Sequence, residues 1–468
     1  MGDSLSATDR ATLTAEKGNV NMTVGGLVLT DAGPGVTYDA LVRRIDERIH
    51  LLPRYTQRLQ ESWFGERHPV WVDDDNYDTH WHVHSTHVTS EAELARYVGK
   101  AMSSRLDRSR PLWELHVIEG LPNEQSAVLV KMHHALVDGM SAVGVFMVLM
   151  DMTPEPQPVP PVSEEESEPR QHSKLYHYFA RIPMRNLSMT QRIAVTATEW
   201  MLDRALDPRQ AESDLRLATG LVRALQKLRS SAAPLPFNKP ISANRSFAWT
   251  TAPLDGLKRA AKANGGTVND AILAAVSGQV ARYLEAAGFA LSSLEQDPVA
   301  LVPVSVRPPG DSSGGNRIAV VFVDLPVSER DPAKRIALIS ERMRKIKGSA
   351  EVIAGSVALD MTGVVPPLMS SALSAMPRPR DDGGSIQNIV VSNVPGPQMP
   401  LYFNGSAVHG VFPVMSLNPA DQGFGVGVLS YNGRVCFGVT ADKWLDPGVD
   451  VALAALRAEL DEVLELGT

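Results

Sequence analysis

Ser126-Ala127-Val128-Leu129-Val130-Lys131-Met132-His133-His134-Ala135-Leu136-Val137-Asp138-Gly139 is the stretch on which the reading of this chain turns. Its first half is a short apolar run of the kind that forms a buried strand. The run ends in two adjacent histidines, and an aspartate and a glycine follow a few residues later. A neutral imidazole takes a proton from a hydroxyl near neutral pH, which makes His134 a candidate general base. Such a base works only when its ring is held in one orientation and one tautomer. A tight turn closed by Gly139 would fix that geometry. Asp138 would hold the turn through an ion pair or touch the imidazole directly, and the spacing leaves both open.

Working outward, the chain divides into three zones. Residues 1–152 mix strand-like and helical runs. Val24–Leu29 reads as a strand, and Tyr38–Leu51 has helical spacing through Leu41, Ile45 and Ile49. Residues 153–236 open with Pro154, Pro156, Pro158, Pro160 and Pro161, followed by Glu164, Glu165, Glu166 and Glu168. Such a composition supports an exposed linker, not a core. Connecting helices follow, with Lys174, Arg181, Arg185 and Arg192 among apolar residues, either a packed helix or a basic surface for an anionic membrane. Residues 237–468 hold a helix at Leu254–Ala263, a second capped by Thr267, and strands near Val299–Arg307, Ile318–Leu325, Asn388–Ser392, Gly423–Tyr431 and Val435–Thr440. A last helix covers Asp450–Leu466. Two α/β halves joined by a long connector summarise this order.

Composition narrows the function. Of 468 residues, 44% are hydrophobic and 21% charged, which suits a globular chain with a large core. The net charge of −8 argues against nucleic acid as a partner, because phosphate binding needs a basic face. The single cysteine, Cys436, lies in an apolar strand-like run and reads as a buried structural thiol in a reducing compartment. The N-terminal residues lack the features of a secretory signal, and no apolar run approaches the ~20 residues that span a bilayer. The expectation is a cytoplasmic protein whose contact with the inner membrane face or with lipid inclusions is peripheral.

Two other motifs attract attention. In His80-Trp81-His82-Val83-His84, strand alternation would place His80, His82 and His84 on one face, as a metal site requires. No cysteine or Glu-x-x-His accompanies them, so the group reads as a hydrogen-bonded strand face and no metal is expected. Gly423-Phe424-Gly425-Val426-Gly427 has phosphate-loop spacing, but no Lys-Ser/Thr follows, and it reads as strand.

The segment His133-His134-x-x-x-Asp138-Gly139 resembles the active-site motif of the CoA-dependent acyltransferase superfamily. Further landmarks narrow the resemblance to the bacterial wax ester synthase/diacylglycerol acyltransferase family. They are Pro111-Leu112-Trp113 within Ser109–Glu114, Asn269-Asp270, Phe237–Ile241 with Arg245, Gly315-Asn316-Arg317 leading to Leu325-Pro326, and Val391–Pro397 containing Ser392 and Asn393. The chain departs from the family at Asn21-Met22-Thr23-Val24-Gly25, which lacks the histidine usual before Val-Gly.

The resemblance implies an α/β fold of two similar domains, like chloramphenicol acetyltransferase, with the active site in a tunnel between them. It implies His134 as base, His133 as its support, and Asp138 in a structural pair with Arg307. Asn269 and Asp270 would support the site from the second half. Pro111, Leu112, Trp113, Ser392 and Asn393 would lie at the substrate or CoA passage. The activity implied is long-chain acyl transfer from acyl-CoA to diacylglycerol or a fatty alcohol, with acyl-CoA as co-substrate and no bound cofactor. Two further readings stand beside it: condensation-like transfer to another hydroxyl or amine, and a non-catalytic lipid-surface protein.

Overall fold

The computed structural model describes residues 3–5, 7–60, 69–136, 145–146, 148–156, 232, 234–305, 318–347, 387–418 and 421–467. The strands are β1 (Asp3–Ser4), β2 (Thr23–Asp31), β3 (Gln57–Gln60), β4 (Val70–Asp73), β5 (Val83–His87), β6 (Trp113–Leu121), β7 (Gln125–His133), β8 (Arg245–Pro253), β9 (Val299–Ser305), β10 (Ile318–Asp324), β11 (Ile389–Pro395), β12 (Tyr402–Phe403), β13 (Ser406–Val414), β14 (Phe424–Tyr431) and β15 (Arg434–Asp442). The helices that matter below are α1 (Ala7–Ala15), α2 (Tyr38–Arg48), α3 (Thr79–His82), α4 (Glu91–Ser103), α5 (Leu254–Ala263), α6 (Val268–Ala286), α7 (Pro332–Lys347) and α8 (Val449–Glu465).

Two six-stranded sheets organise these elements. The first runs β12-β13-β2-β7-β6-β5, and the second runs β10-β9-β11-β14-β15-β8. The apolar run at 126–132 became β7, with β2 and β6 as antiparallel neighbours. A strand flanked on both sides buries both faces, and Ala127, Val128 and Leu129 are fully inaccessible. Each large apolar side chain so buried contributes about 1.5–3 kcal/mol. In the second unit, α6 is enclosed by α5, α7 and α8. Its capping box joins Thr267 and Asp270 at the N-terminus, as Ser/Thr-x-x-acid spacing leads one to expect.

The units are joined in two ways. Strand β13 lies late in the chain yet pairs with β2 and so completes the first sheet. On its way it crosses the second sheet at very close range: a Cβ on Gly438 would sit 2.0 Å from the Pro413 carbonyl oxygen, and one on Gly427 would sit 2.8 Å from Pro413 Cβ. Glycine at these places is what lets the backbones approach. The glycine-rich run is strand from Phe424 onward, and its Gly427 serves this crossing. The second join lies between α4 and β8, where the Arg245 N–H donates to Ser103 Oγ (2.8 Å). The Arg245 guanidinium also donates to the Asn19 carbonyl (2.7 Å) and lies 3.4 Å from Asp442.

One expected element is different. His80–His84 is not a continuous strand. The Asp78 side chain accepts the His80 N–H and starts a single helical turn, α3, before β5 begins at Val83. Period-two alternation therefore breaks. His80 meets the Tyr38 hydroxyl (2.9 Å), whereas His82 is buried, bonded through Nδ1 to the Trp113 carbonyl and stacked on that indole (4.4 Å between centroids). The basic stretch at 173–192 and the Pro/Glu-rich linker lie outside the described residues. No helix among the described residues is long and apolar enough to cross a membrane.

Candidate active site

The end of β7 carries the paired histidines. His133 is 1% exposed, and both of its ring nitrogens face protein. The Ala135 N–H donates to His133 Nδ1 (3.0 Å), which places the ring proton on Nε2. That nitrogen faces Glu16 Oε2 at 3.6 Å. His133 is thus held in one tautomer and cannot reach a substrate. His134 is half-buried. Its Nδ1 is covered, and its backbone N–H donates to the Met22 carbonyl (2.8 Å), so the residue is anchored to the start of β2.

Glu16, just after α1, was not singled out from sequence, and no local signal marks it. Its Oε1 accepts the Met22 N–H (3.1 Å), and its Oε2 accepts from Arg108 (2.9 Å) while facing His133. Burial opposes its ionisation. Hydrogen bonds from His133 and Arg108 outweigh that cost and bring the carboxyl down to about 2. One carboxylate therefore grips the His133 ring and Met22, the residue whose carbonyl holds His134. Asn21 braces the same segment. Its amide donates to the Met102 and Ser104 carbonyls (3.1 Å each), and its oxygen accepts the Thr23 N–H (3.1 Å). These side chains clamp the backbone of the segment 21–25.

Pro111, Leu112 and Trp113 lie beside the histidines but act on them from within the core. The His133 N–H donates to the Leu112 carbonyl (3.0 Å), and Trp113 pairs with Met132 across β6 and β7. Trp113 Nε1–H donates to the Tyr55 carbonyl (2.8 Å). Leu112 is fully buried and Trp113 is 5% exposed. The expectation that these side chains line a substrate passage gives way to a bracing role, because no surface of Leu112 is open to a ligand.

In the second unit, Asn269 stands in the first turn of α6, and its carbonyl oxygen accepts from Asn393 Nδ2 (3.2 Å). Asn393 is on β11 next to Ser392, and all three side chains are half-buried. Asp270 has a different task from Asn269. Its Oδ2 accepts from the Thr267 N–H (2.7 Å) and hydroxyl (2.9 Å), so it caps the helix that presents Asn269. Asp138, Gly139 and Arg307 lie outside the described residues. Cys436 is buried, which pushes its thiol up to about 11 and makes it a structural thiol.

Comparison with known proteins extends these observations. The wax ester synthase/diacylglycerol acyltransferase catalytic domain matches residues 5–272, and the C-terminal domain of the same family matches residues 314–463. A Mycobacterium tuberculosis protein named as a diacylglycerol O-acyltransferase is 31% identical over 458 residues, covering 94% of each chain. A second from that species is 31% identical over 440 residues, covering 92% of this chain and 83% of its own. Among solved structures, the wax ester synthase/diacylglycerol acyltransferase from Marinobacter aquaeolei VT8 superimposes with a TM-score of 0.65 at 25% identity, covering 99% of this chain and all of that one. The first condensation domain of the calcium-dependent antibiotic synthetase shares the fold, with a TM-score of 0.58 at 13% identity over 100% of this chain and 96% of its own.

Proposed function

The chain belongs to the wax ester synthase/diacylglycerol acyltransferase family, and from this premise we propose that it moves a long-chain acyl group from acyl-CoA to the hydroxyl of diacylglycerol or of a fatty alcohol, with His134 as general base. The observation that carries the assignment is the asymmetry of the histidine pair. His133 has both nitrogens turned into protein and is buried, while His134 is half-buried with its Nδ1 covered. In this reading Nε2 of His134 is the nitrogen that takes the proton.

The steps follow from that assignment. The acceptor hydroxyl hydrogen-bonds to His134 Nε2. As its oxygen attacks the thioester carbonyl carbon, the proton passes to the imidazole. The carbon–sulfur bond of the tetrahedral intermediate breaks, and the imidazolium returns the proton to the departing CoA thiolate. Ester and free CoA thiol are the products, with no covalent acyl-enzyme. The oxyanion needs a pre-placed donor, worth about 3–4 kcal/mol in comparable sites. Asn269 suits this role chemically: its oxygen is taken by Asn393, which leaves its NH2 to donate.

The reading is tested by following thiol release from palmitoyl-CoA with dipalmitoylglycerol or hexadecanol as acceptor. His134→Ala should lose about two to four orders of magnitude in turnover while its circular dichroism stays that of the wild type. A folded His134→Ala protein with near-normal turnover would end the proposal. Free thiol released at one rate with or without an acceptor would identify hydrolysis in place of transfer.

A further inference from the structure

Away from the paired histidines, two imidazoles and a carboxylate converge on the edge of the first sheet. His84 on β5 and His116 on β6 are paired in register across the parallel strands, and Glu114 stands on the same face as His116. Ligand atoms of His84, Glu114 and His116 all lie within 4.8 Å of one another. We propose that these three side chains form a binding site for a divalent transition-metal ion of the zinc class, which clips the edge strand β5 to β6.

Each ligand already has the support such a site needs. The Tyr97 hydroxyl, from α4, lies 3.0 Å from His116 Nδ1. With the Nδ1 proton donated to that hydroxyl, Nε2 is the nitrogen offered to a metal, the arrangement that orients ligating histidines in general. His116 Nε2 then faces Glu114 Oε2 at 3.3 Å. In the other tautomer Nε2–H donates to Glu114 and Nδ1 accepts from Tyr97, which satisfies His116 and Glu114 without an ion. The metal alone also recruits His84, whose side chain makes no hydrogen bond among the described residues and packs its ring against His116 (4.8 Å between centroids).

Lys131 shapes the chemistry of the site. Its ammonium is fully buried, bonded to Glu114 Oε2 (2.8 Å) and Ser104 Oγ (3.1 Å). It holds Glu114 in place, and a carboxylate has a second oxygen with which to ligate. Two imidazoles and one carboxylate suit zinc or cobalt better than a hard ion that needs several carboxylates, and the nearby ammonium moderates the affinity for any cation. The site is reachable: His84 is half-buried and the Glu114 side chain keeps 25% of its surface. With three protein ligands, a tetrahedral ion keeps one position for water.

The test uses the full-length protein, stripped with a chelator and titrated with Co2+, whose visible absorption reports low-coordinate nitrogen and oxygen ligation. Zn2+ then displaces it. One equivalent should bind, and its affinity should fall tenfold or more in His84→Ala and in Glu114→Gln. His134→Ala should bind like the wild type. Zn2+ should raise the melting temperature of the wild type but not of His84→Ala. His84 is half-exposed, so its removal leaves the fold standing even if a His116 variant does not. The proposal is overturned by the lack of a saturable Co2+ spectrum, by a spectrum that His84→Ala leaves unchanged, or by one that His134→Ala abolishes.

Discussion

Replacing Glu16 with glutamine changes one atom of the side chain and removes a charge that three groups share. The wild-type carboxylate accepts from Met22 and Arg108 and faces the His133 ring. A glutamine offers one acceptor oxygen and turns its NH2 toward a donor. Glu16 keeps 4% of its side-chain surface, so water does little to soften the loss. Its carboxyl is held down to about 2, from 4.5 unperturbed. At about 1.4 kcal/mol per unit, the ionised form contributes roughly 3 kcal/mol to folding near neutral pH.

The sign of the pH dependence follows from the direction of the shift. A carboxyl whose folded value is depressed stabilises the fold above the unfolded value, and that stability is lost as pH falls toward the folded one. About 1 kcal/mol of the contribution should be gone by pH 4 and about 2 by pH 3. Urea unfolding followed by circular dichroism should therefore show Glu16→Gln less stable by about 2–3 kcal/mol near pH 7, with the gap narrowing in acid. Turnover should fall as well, because Met22 carries His134 on its carbonyl and His133 loses its partner. Equal stability of the two proteins near pH 7, or a gap that does not change between pH 7 and pH 4, would refute the reasoning.

Two further predictions rest on other contacts. Asn393→Ala should free the Asn269 oxygen and, under the proposed mechanism in which Asn269 donates to the oxyanion, lower kcat by about tenfold or more with a smaller effect on KM; steady-state kinetics with palmitoyl-CoA would check it, and a pure KM effect would assign the pair to binding. Gly438→Ala should destabilise by about 3 kcal/mol, because its Cβ would lie 2.0 Å from the Pro413 backbone oxygen where β13 crosses; an unchanged melting temperature would mean that the crossing is looser than drawn.

Much of the fold was written locally. The strands at 126–132 and 435–440 and the helix at 254–263 lie where their apolar patterns put them, because strand and helix periodicities depend on neighbours a few residues away. The Thr267 cap was readable for the same reason, and the structure adds that Asp270 belongs to it. At His80–His84 a local rule failed for a local cause: Asp78 nucleates one helical turn and shifts the phase of the histidines. That is why His84, alone of the group, ends beside His116 and Glu114.

Sequence alone sufficed to mark the paired histidines, the α/β class and the family, since these are properties of residue order and spacing. Only the folded chain could decide which histidine is sealed in, because that depends on Ala135, Glu16 and Met22 meeting around the end of one strand. It also decided that Leu112 and Trp113 brace the site from inside, and that a late strand completes the early sheet. Pairings between distant segments are selected by the burial and hydrogen bonding of the whole core, and no window of neighbouring residues carries that information.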